Sequence, residues 1–479
     1  MFAFVSLFSL GLALAQSYFA RFRRWLFTGL GLFSLILIFS IVLALSFQKY
    51  SMAGSLDGGQ LANYLKTTFT SLGYLVLITL SFFFYGNLLP QRFSSKSPLL
   101  KIALGLIFFV LLLFGISAIW LLNKYSIVAL IILPFLISYK TTLKDLNNAM
   151  FKTADLKLSA VGTFIGSILV FYVVLNFVYV QAPFPIGFDS RNFYMNIANQ
   201  VAHHNGLIYG FRPYNWALLI STGYVMFESS PVPLSISFFG YILSLFAMFH
   251  LGVKVLKLNP NIILFVMLLF TVSPAITNQL HLELKTDFGL LFFQLMTLSL
   301  FLKYISKKST EDNTKILSFS FNSNWVLMGA LVGFGLGIKM TNLFLLFALI
   351  ICLFWIKSKS IATTLGVVSL TMALFILVRL DDLSGVRIYH LGLNYVVIAC
   401  GLLGLILLIK GLIADRAAIV HSIKSVVVLG MMAGLVLLPW LVKNYNETKS
   451  LHPQVLLNGA TMGPEINMQI LHRNYINSK

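Results

Sequence analysis

Long apolar runs separated by short polar turns dominate the chain, and within each run the apolar positions are continuous rather than alternating. Continuous runs of about 20 residues suit α-helices crossing a hydrocarbon core, whereas barrel strands would alternate. The pattern predicts spans at 2–20, 25–47, 70–89, 100–122, 126–139, 160–180, 232–252, 261–279, 288–306, 325–338, 341–357, 361–379, 393–410 and 424–442. Segments 126–139 and 325–338 are short, and the second holds Gly329, Gly333, Gly335 and Gly337, which suits a tilted, re-entrant or closely packed helix. The expected fold is therefore an all-α polytopic membrane protein of 12–14 transmembrane helices, with a large external loop, 181–231, after the sixth span.

Composition supports the same class. With 58% hydrophobic and 10% charged residues and a mean hydropathy of +0.90, the chain has too little polar surface for a soluble globule of 479 residues. Its two cysteines, Cys352 and Cys400, sit inside apolar runs and exclude a disulfide framework or a Cys-based zinc site. The first twenty residues look like a signal peptide, but Arg21, Arg23 and Arg24 follow the apolar stretch and no positive region precedes it. That order predicts a retained span with its amino terminus outside.

Charge sets the expected orientation. Loops 21–24, 91–101, 140–157, 254–257, 303–315, 357–359 and 410–424 carry 21 of the 34 Lys and Arg but only 5 of the 14 Asp and Glu. By the positive-inside rule these loops are cytoplasmic, and the net charge of +20 then needs no nucleic-acid partner. The 181–231 stretch faces outward.

That stretch, which includes QAPFPIGFDSRNFYMNIANQVAHHNGLIYGFRPYNWALL, is the longest polar-rich interruption and carries Asp189. A carboxylate just after a span, among Asn, Tyr, His and Arg, suits a general base or metal ligand at the water boundary. An Asx-turn in a solvated loop would show the same residues. A second cluster, NQLHLELKTDFGLLFF from Asn278 to Phe293, places His281, Glu283, Lys285 and Asp287 at every second residue. A Lys between two carboxylates at the mouth of apolar spans is costly unless paired or wet, although a plain helix end can look alike. Lys339 closes the glycine-rich segment in GFGLGIKMTNLF, where snorkelling to headgroups is the ordinary use. In LPWLVKNYNETKSLHP, from Leu438 to Pro453, Pro439, Trp440 and Lys443 sit at the interface.

FPIGFDSRNFYMNIA, HLELKTDFGLLFF, GLGIKMTNL and LPWLVKNYNETKSLHP, in this order and placement, resemble the GT-C superfamily of membrane glycosyltransferases. The likeness is nearest to its bacterial members, related to dolichyl-phosphate-mannose protein mannosyltransferases and lipid A aminoarabinose transferases, and covers roughly residues 160–453. It implies transfer of a sugar from a polyprenyl-phosphate donor to a glycan, lipid or protein acceptor on the outer side of a bacterial inner membrane. By the resemblance, Asp189 stands at the acidic residue of the first external loop, which activates the acceptor or coordinates a divalent metal such as Mg or Mn. Glu283 or Asp287 stands at the second acidic site. Displacing a lipid phosphate also needs positive charge, for which Arg191, Arg212, Lys285, Lys339 and Lys443, with His281, are the substrate-binding candidates. His203 and His204 would join Asp189 in a metal site, although adjacent His residues in a wet loop are more often plain surface.

Three regions follow from this reading: an amino-terminal accessory region of five spans, 1–155; a catalytic transmembrane region, 156–445; and an external segment, 446–479, resembling the opening of a further domain. The first and third depart from the family, many members of which begin with the span before the catalytic loop and end in a soluble domain. Neither a G-x-x-x-x-G-K-[ST] loop nor a dinucleotide fingerprint occurs. The rival classes are a transporter or flippase for a lipid-linked glycan, disfavoured by the lack of an internal repeat, and a non-catalytic protein of envelope assembly.

Overall fold

Fifteen α-helices and one short β-hairpin make up nearly all of the described residues of the computed structural model. It describes residues 58–89, 97–151, 158–181, 187–306, 313–316, 319–377, 393–451 and 456–457. The spans expected at 2–20 and 25–47, and most of segment 446–479, lie outside the described residues. The chain divides into two units. The first comprises described residues 58–208 and 215–299, and the second comprises 209–214 and the described residues from 300 onward.

In the first unit α1 (Gly58–Leu88), α2 (Pro98–Ala118), α3 (Lys124–Phe151) and α4 (Ala160–Val180) precede a π-helical turn, Ser190–Tyr194, that runs into α5 (Met195–His203). Next come α6 (Asn215–Phe227), α7 (Pro231–Phe249), α8 (Pro260–Val272), α9 (Pro274–Asn278) and α10 (Asp287–Ser306), the last of which continues into the second unit. Starts are marked by ordinary chemistry. Ser159 accepts from the Gly162 N–H ahead of α4, and Asn259 accepts from the Asn261 N–H ahead of α8, where Pro260 occupies a position whose own N–H would go unused.

Helix α7 organises this unit, packing on α1, α4, α6 and α8. The span Pro231–Val255 that it begins is 78% buried. Its buried serines reach outside the helix: Ser235 Oγ accepts from Gln181 Nε2, while Ser237 and Ser244 donate to the carbonyls of Leu284 and Phe288. Close backbone approach tightens the same region. A Cβ added at Gly289 of α10 would lie 2.5 Å from the ring of Trp216, which is fully buried in α6, so only glycine fits there.

In the second unit β1 (Asn313–Ile316) pairs antiparallel with β2 (Phe319–Asn322), with Asn313 opposite Asn322. Five helices follow: α11 (Ser323–Ile338), α12 (Leu343–Ser358), α13 (Ile361–Leu377), α14 (Leu393–Ala414) and α15 (Arg416–Thr448). The glycine-rich segment is a packing device, since a Cβ at Gly333 of α11 would come within 2.7 Å of the Ala433 Cα in α15. Phe354, Val367 and Ile419 join α12, α13 and α15 in a small core. Only 11% of the α14 span is buried, although α14 packs along α13.

All twelve predicted spans that fall on described residues fold as helix. Among the described residues, eight helices are long and apolar enough to cross a bilayer, or nine if the bent pair Pro260–Val272 and Pro274–His281 is one span. Lys124–Ser138, Ser323–Ile338 and Ile361–Leu377 are apolar but shorter. At 1.5 Å per residue, the 16 residues of α11 rise about 24 Å, short of the roughly 30 Å core. The chain is a polytopic, helical integral membrane protein.

Two features differ from the sequence reading. The β-hairpin lies in a stretch expected to be a plain connecting loop. The 181–231 stretch is largely helical and packed: Trp216, Leu218, Leu219 and Ile220 are fully buried, as are Ala198 and Val201. The nine residues of α5 are amphipathic, with Met195, Ile197, Ala198 and Val201 on one buried face, and, like the 13 of α6, too few to register as a span.

The packing argument predicts contrasting glycine variants. Gly333→Ala should destabilise the protein by about 1–3 kcal/mol through overpacking. Gly430→Ala on α15, where an added Cβ meets nothing within 4 Å, should be neutral or stabilising by up to about 1 kcal/mol. Thermal unfolding in detergent checks both.

Candidate functional site

Two polar stretches far apart in sequence meet at one end of the first unit. The earlier begins where α4 ends. Gln181 is buried there, accepting from Ser71 Oγ at 2.9 Å and donating to Ser235 Oγ at 2.8 Å, so α1 and α7 fix the exit of α4. After residues 182–186, which lie outside the described residues, the chain turns at Gly187. The Gly187 carbonyl accepts from the Arg191 N–H and the Ser190 hydroxyl, and Asp189 leads into the π-helical turn with its side chain off its own backbone.

The later stretch is aimed by a proline. Pro274 cannot donate to the preceding turn, and Ser273 before it is extended with φ −63° and ψ 139°, so α8 and α9 bend by 55°. Helix α9 continues as a π-helical turn, Gln279–Glu283, which ends at Leu284 with φ 24° and ψ 54°. A buried leucine in that region is strained, and it persists because its N–H donates to the Gln279 carbonyl while its own carbonyl accepts from Ser237. The reversal points Glu283 and Lys285 back toward Asp189.

There the three meet. The Asp189 N–H donates to Glu283 Oε2 at 3.0 Å, and the Lys285 ammonium pairs with the Asp189 carboxylate. The side chains of Lys285 and Asp189 are 29% and 35% exposed, so the pair is screened from water on most sides yet open to a ligand. The hydrogen bond to Asp189 holds the Lys285 ammonium above its ordinary pKa, against the opposing effect of burial, with Glu283 adding to the rise. Two carboxylates and one fixed ammonium form a compact charged group at the end of apolar helices.

The other sequence candidates are distributed around it. Asp287 is the acidic residue in the first turn of α10, where the helix dipole favours it, and it accepts from Gln279 Nε2 at 3.4 Å. His281 stacks on Tyr179 and shares a 2.8 Å hydrogen bond with Asn176. Arg191 and His203 line a separate cavity described below, while His204 caps α5. Asp189, His203 and His204 are not gathered, and no three His, Cys, Asp or Glu residues form a metal-holding group among the described residues. Arg212, Lys339 and Lys443 belong to the second unit. Lys339 is half-buried in an extended link after α11.

Lys443 has a structural occupation that its sequence position concealed. Its side chain, 7% exposed, donates to Glu447 Oε2 at 3.0 Å and to the Phe211 carbonyl at 3.4 Å, and its ammonium lies over the Trp440 ring. Glu447 also accepts from the Gly210 N–H, and its carbonyl accepts from the Tyr209 hydroxyl. Together they clamp Tyr209–Tyr214 to the end of α15. Spacing of four on a helix was the available signal for this pair. Breaking such a buried pair is expected to cost about 3 kcal/mol, so Lys443→Met should lower thermal stability sharply. A Lys443→Met protein of wild-type stability that binds its substrate more weakly would instead return Lys443 to the ligand.

No protein-family model, no curated protein and no solved structure matches this chain.

Proposed function

We propose that the chain is a membrane glycosyltransferase that moves a sugar from a polyprenyl-phosphate donor to an acceptor at the membrane face bearing Asp189. The observation that carries this reading is the meeting of Asp189 with Glu283 and Lys285, 94 residues apart between the two carboxylates. Glycosyl transfer from a lipid phosphate needs a base for the attacking hydroxyl and a cation for the departing phosphate, both at the lipid boundary.

In the proposed step Asp189 takes the proton of the acceptor hydroxyl as that oxygen attacks the anomeric carbon. The bond from this carbon to the phosphate oxygen breaks, and its electron pair leaves with the polyprenyl phosphate. Lys285 moves from Asp189 to the phosphate as the donor binds, which frees the base and neutralises the leaving group together. Glu283 holds the backbone of Asp189 in place through its 3.0 Å bond. The excess of Lys and Arg in the opposite loops supports an outward face, in a bacterial inner membrane.

Purified protein in lipid vesicles, given radiolabelled polyprenyl-phosphate sugars, tests the reading. Label should leave the lipid, and Asp189→Asn should lower turnover by about 10²-fold or more with donor affinity little changed. Lys285→Met should instead weaken donor binding by about 1–3 kcal/mol, the range for losing a charge-assisted hydrogen bond. Wild-type turnover in Asp189→Asn would remove that carboxylate from the chemistry.

A further inference from the structure

The first unit also contains a cavity of about 840 Å³ whose lining includes none of Asp189, Glu283 and Lys285. It lies toward the upper end of the range of about 300–1,000 Å³ typical of small-molecule sites, more than a single sugar ring fills. One wall is a face of the Ser190–His203 helical run that presents Arg191, Asn196, Asn199 and His203. A second is the end of α6, with Tyr224 and Glu228. The third comes from the amino-terminal region expected to be accessory: the turn between α2 and α3, with Asn123 and Lys124.

These walls are built together. Lys124 Nζ bonds Glu228 Oε1 at 2.7 Å, joining the second and third walls. The Leu122 N–H donates to the Asn205 carbonyl and the Leu207 N–H to the Ser117 carbonyl, joining the α2–α3 turn to the end of α5. Asn123 and Ser126 exchange side-chain and backbone hydrogen bonds that hold the turn in shape. Against this fixed frame, the side chains of Arg191 and Asn199 have no partner among the described residues.

The lining selects its ligand class. Amides offer a donor and an acceptor side by side, which matches neighbouring hydroxyls, and Asn123, Asn196, Asn199 and Asn205 all line the cavity. Lys124 is already matched by Glu228, which leaves too few free cations for a nucleic acid. Helices and turns line the cavity, with no strand edge for an extended peptide. We propose that this cavity binds a polyhydroxylated carbohydrate as the transfer acceptor, with the amino-terminal turn Asn123–Lys124 as one of its walls. Its role as acceptor site rests on the transferase reading, whereas carbohydrate binding does not. Arg191, which lines the cavity, follows Asp189 by two residues at the start of the same helical run.

Calorimetric titration of the full chain in detergent with a panel of defined neutral and anionic oligosaccharides, without donor, tests the proposal. At least one should bind; Arg191→Met and Asn199→Ala should weaken it about tenfold, and Lys124→Met about threefold. Asn199→Asp, which keeps the volume but loses the amide donor, repeats the test if the alanine variant fails to fold. No binding by the wild-type chain, or equal affinity in the Arg191 and Asn199 variants, overturns the proposal. Saccharide binding with these losses but no consumption of any polyprenyl-phosphate sugar leaves the cavity's ligand standing and removes the transferase reading. Donor consumption with an acceptor KM untouched by the cavity variants does the reverse.

Discussion

Ser235, Ser237 and Ser244 lie on a helix buried among apolar neighbours, where an unpartnered hydroxyl is costly. Each bonds to a group outside α7: Gln181 at the exit of α4, and the carbonyls of Leu284 and Phe288 flanking the later turn. One helix thus sets the start of the first polar stretch and the reversal of the second. The strained Leu284 is held by these bonds, and without that reversal Glu283 and Lys285 would have no reason to face Asp189. Charge then completes the arrangement, because an ammonium and a carboxylate at the end of apolar helices are stabilised by meeting.

Much of the fold is legible in the chain because a bilayer imposes its own length scale. Every expected span on described residues is helical, and the break at Ser273–Pro274 sits where proline chemistry puts it. What periodicity conceals is the 181–231 stretch. Its helices are short, and in α5 buried Met195, Ile197 and Val201 are interspersed with Asn196, Asn199 and His203, which line the cavity. A polar segment that packs against membrane helices therefore looks like a solvated loop until its partners are known.

The candidate site was half visible for the same reason. Asp189, Glu283 and Lys285 stand out as charges beside apolar runs, but their pairing across 94 residues is a property of tertiary structure alone. Lys443 stood out equally and turns out to hold a backbone segment to Glu447. Lys124 shows the converse: it lies in a region with no counterpart in the resemblance, yet it closes a wall of a polar cavity of about 840 Å³. Prominence of a charge in sequence marks cost, and only the partner shows how that cost is met.

The account rests on the two polar stretches acting as one charged group, and a double-mutant cycle on Asp189→Asn and Lys285→Met measures this independently of any assumed substrate. Unfolding free energies of the wild-type chain, both single variants and the double variant should give a coupling within the range of about 0.5–3 kcal/mol seen for residues in contact. Strict additivity of the two substitutions would mean that Asp189 and Lys285 do not sense one another, and would contradict the account.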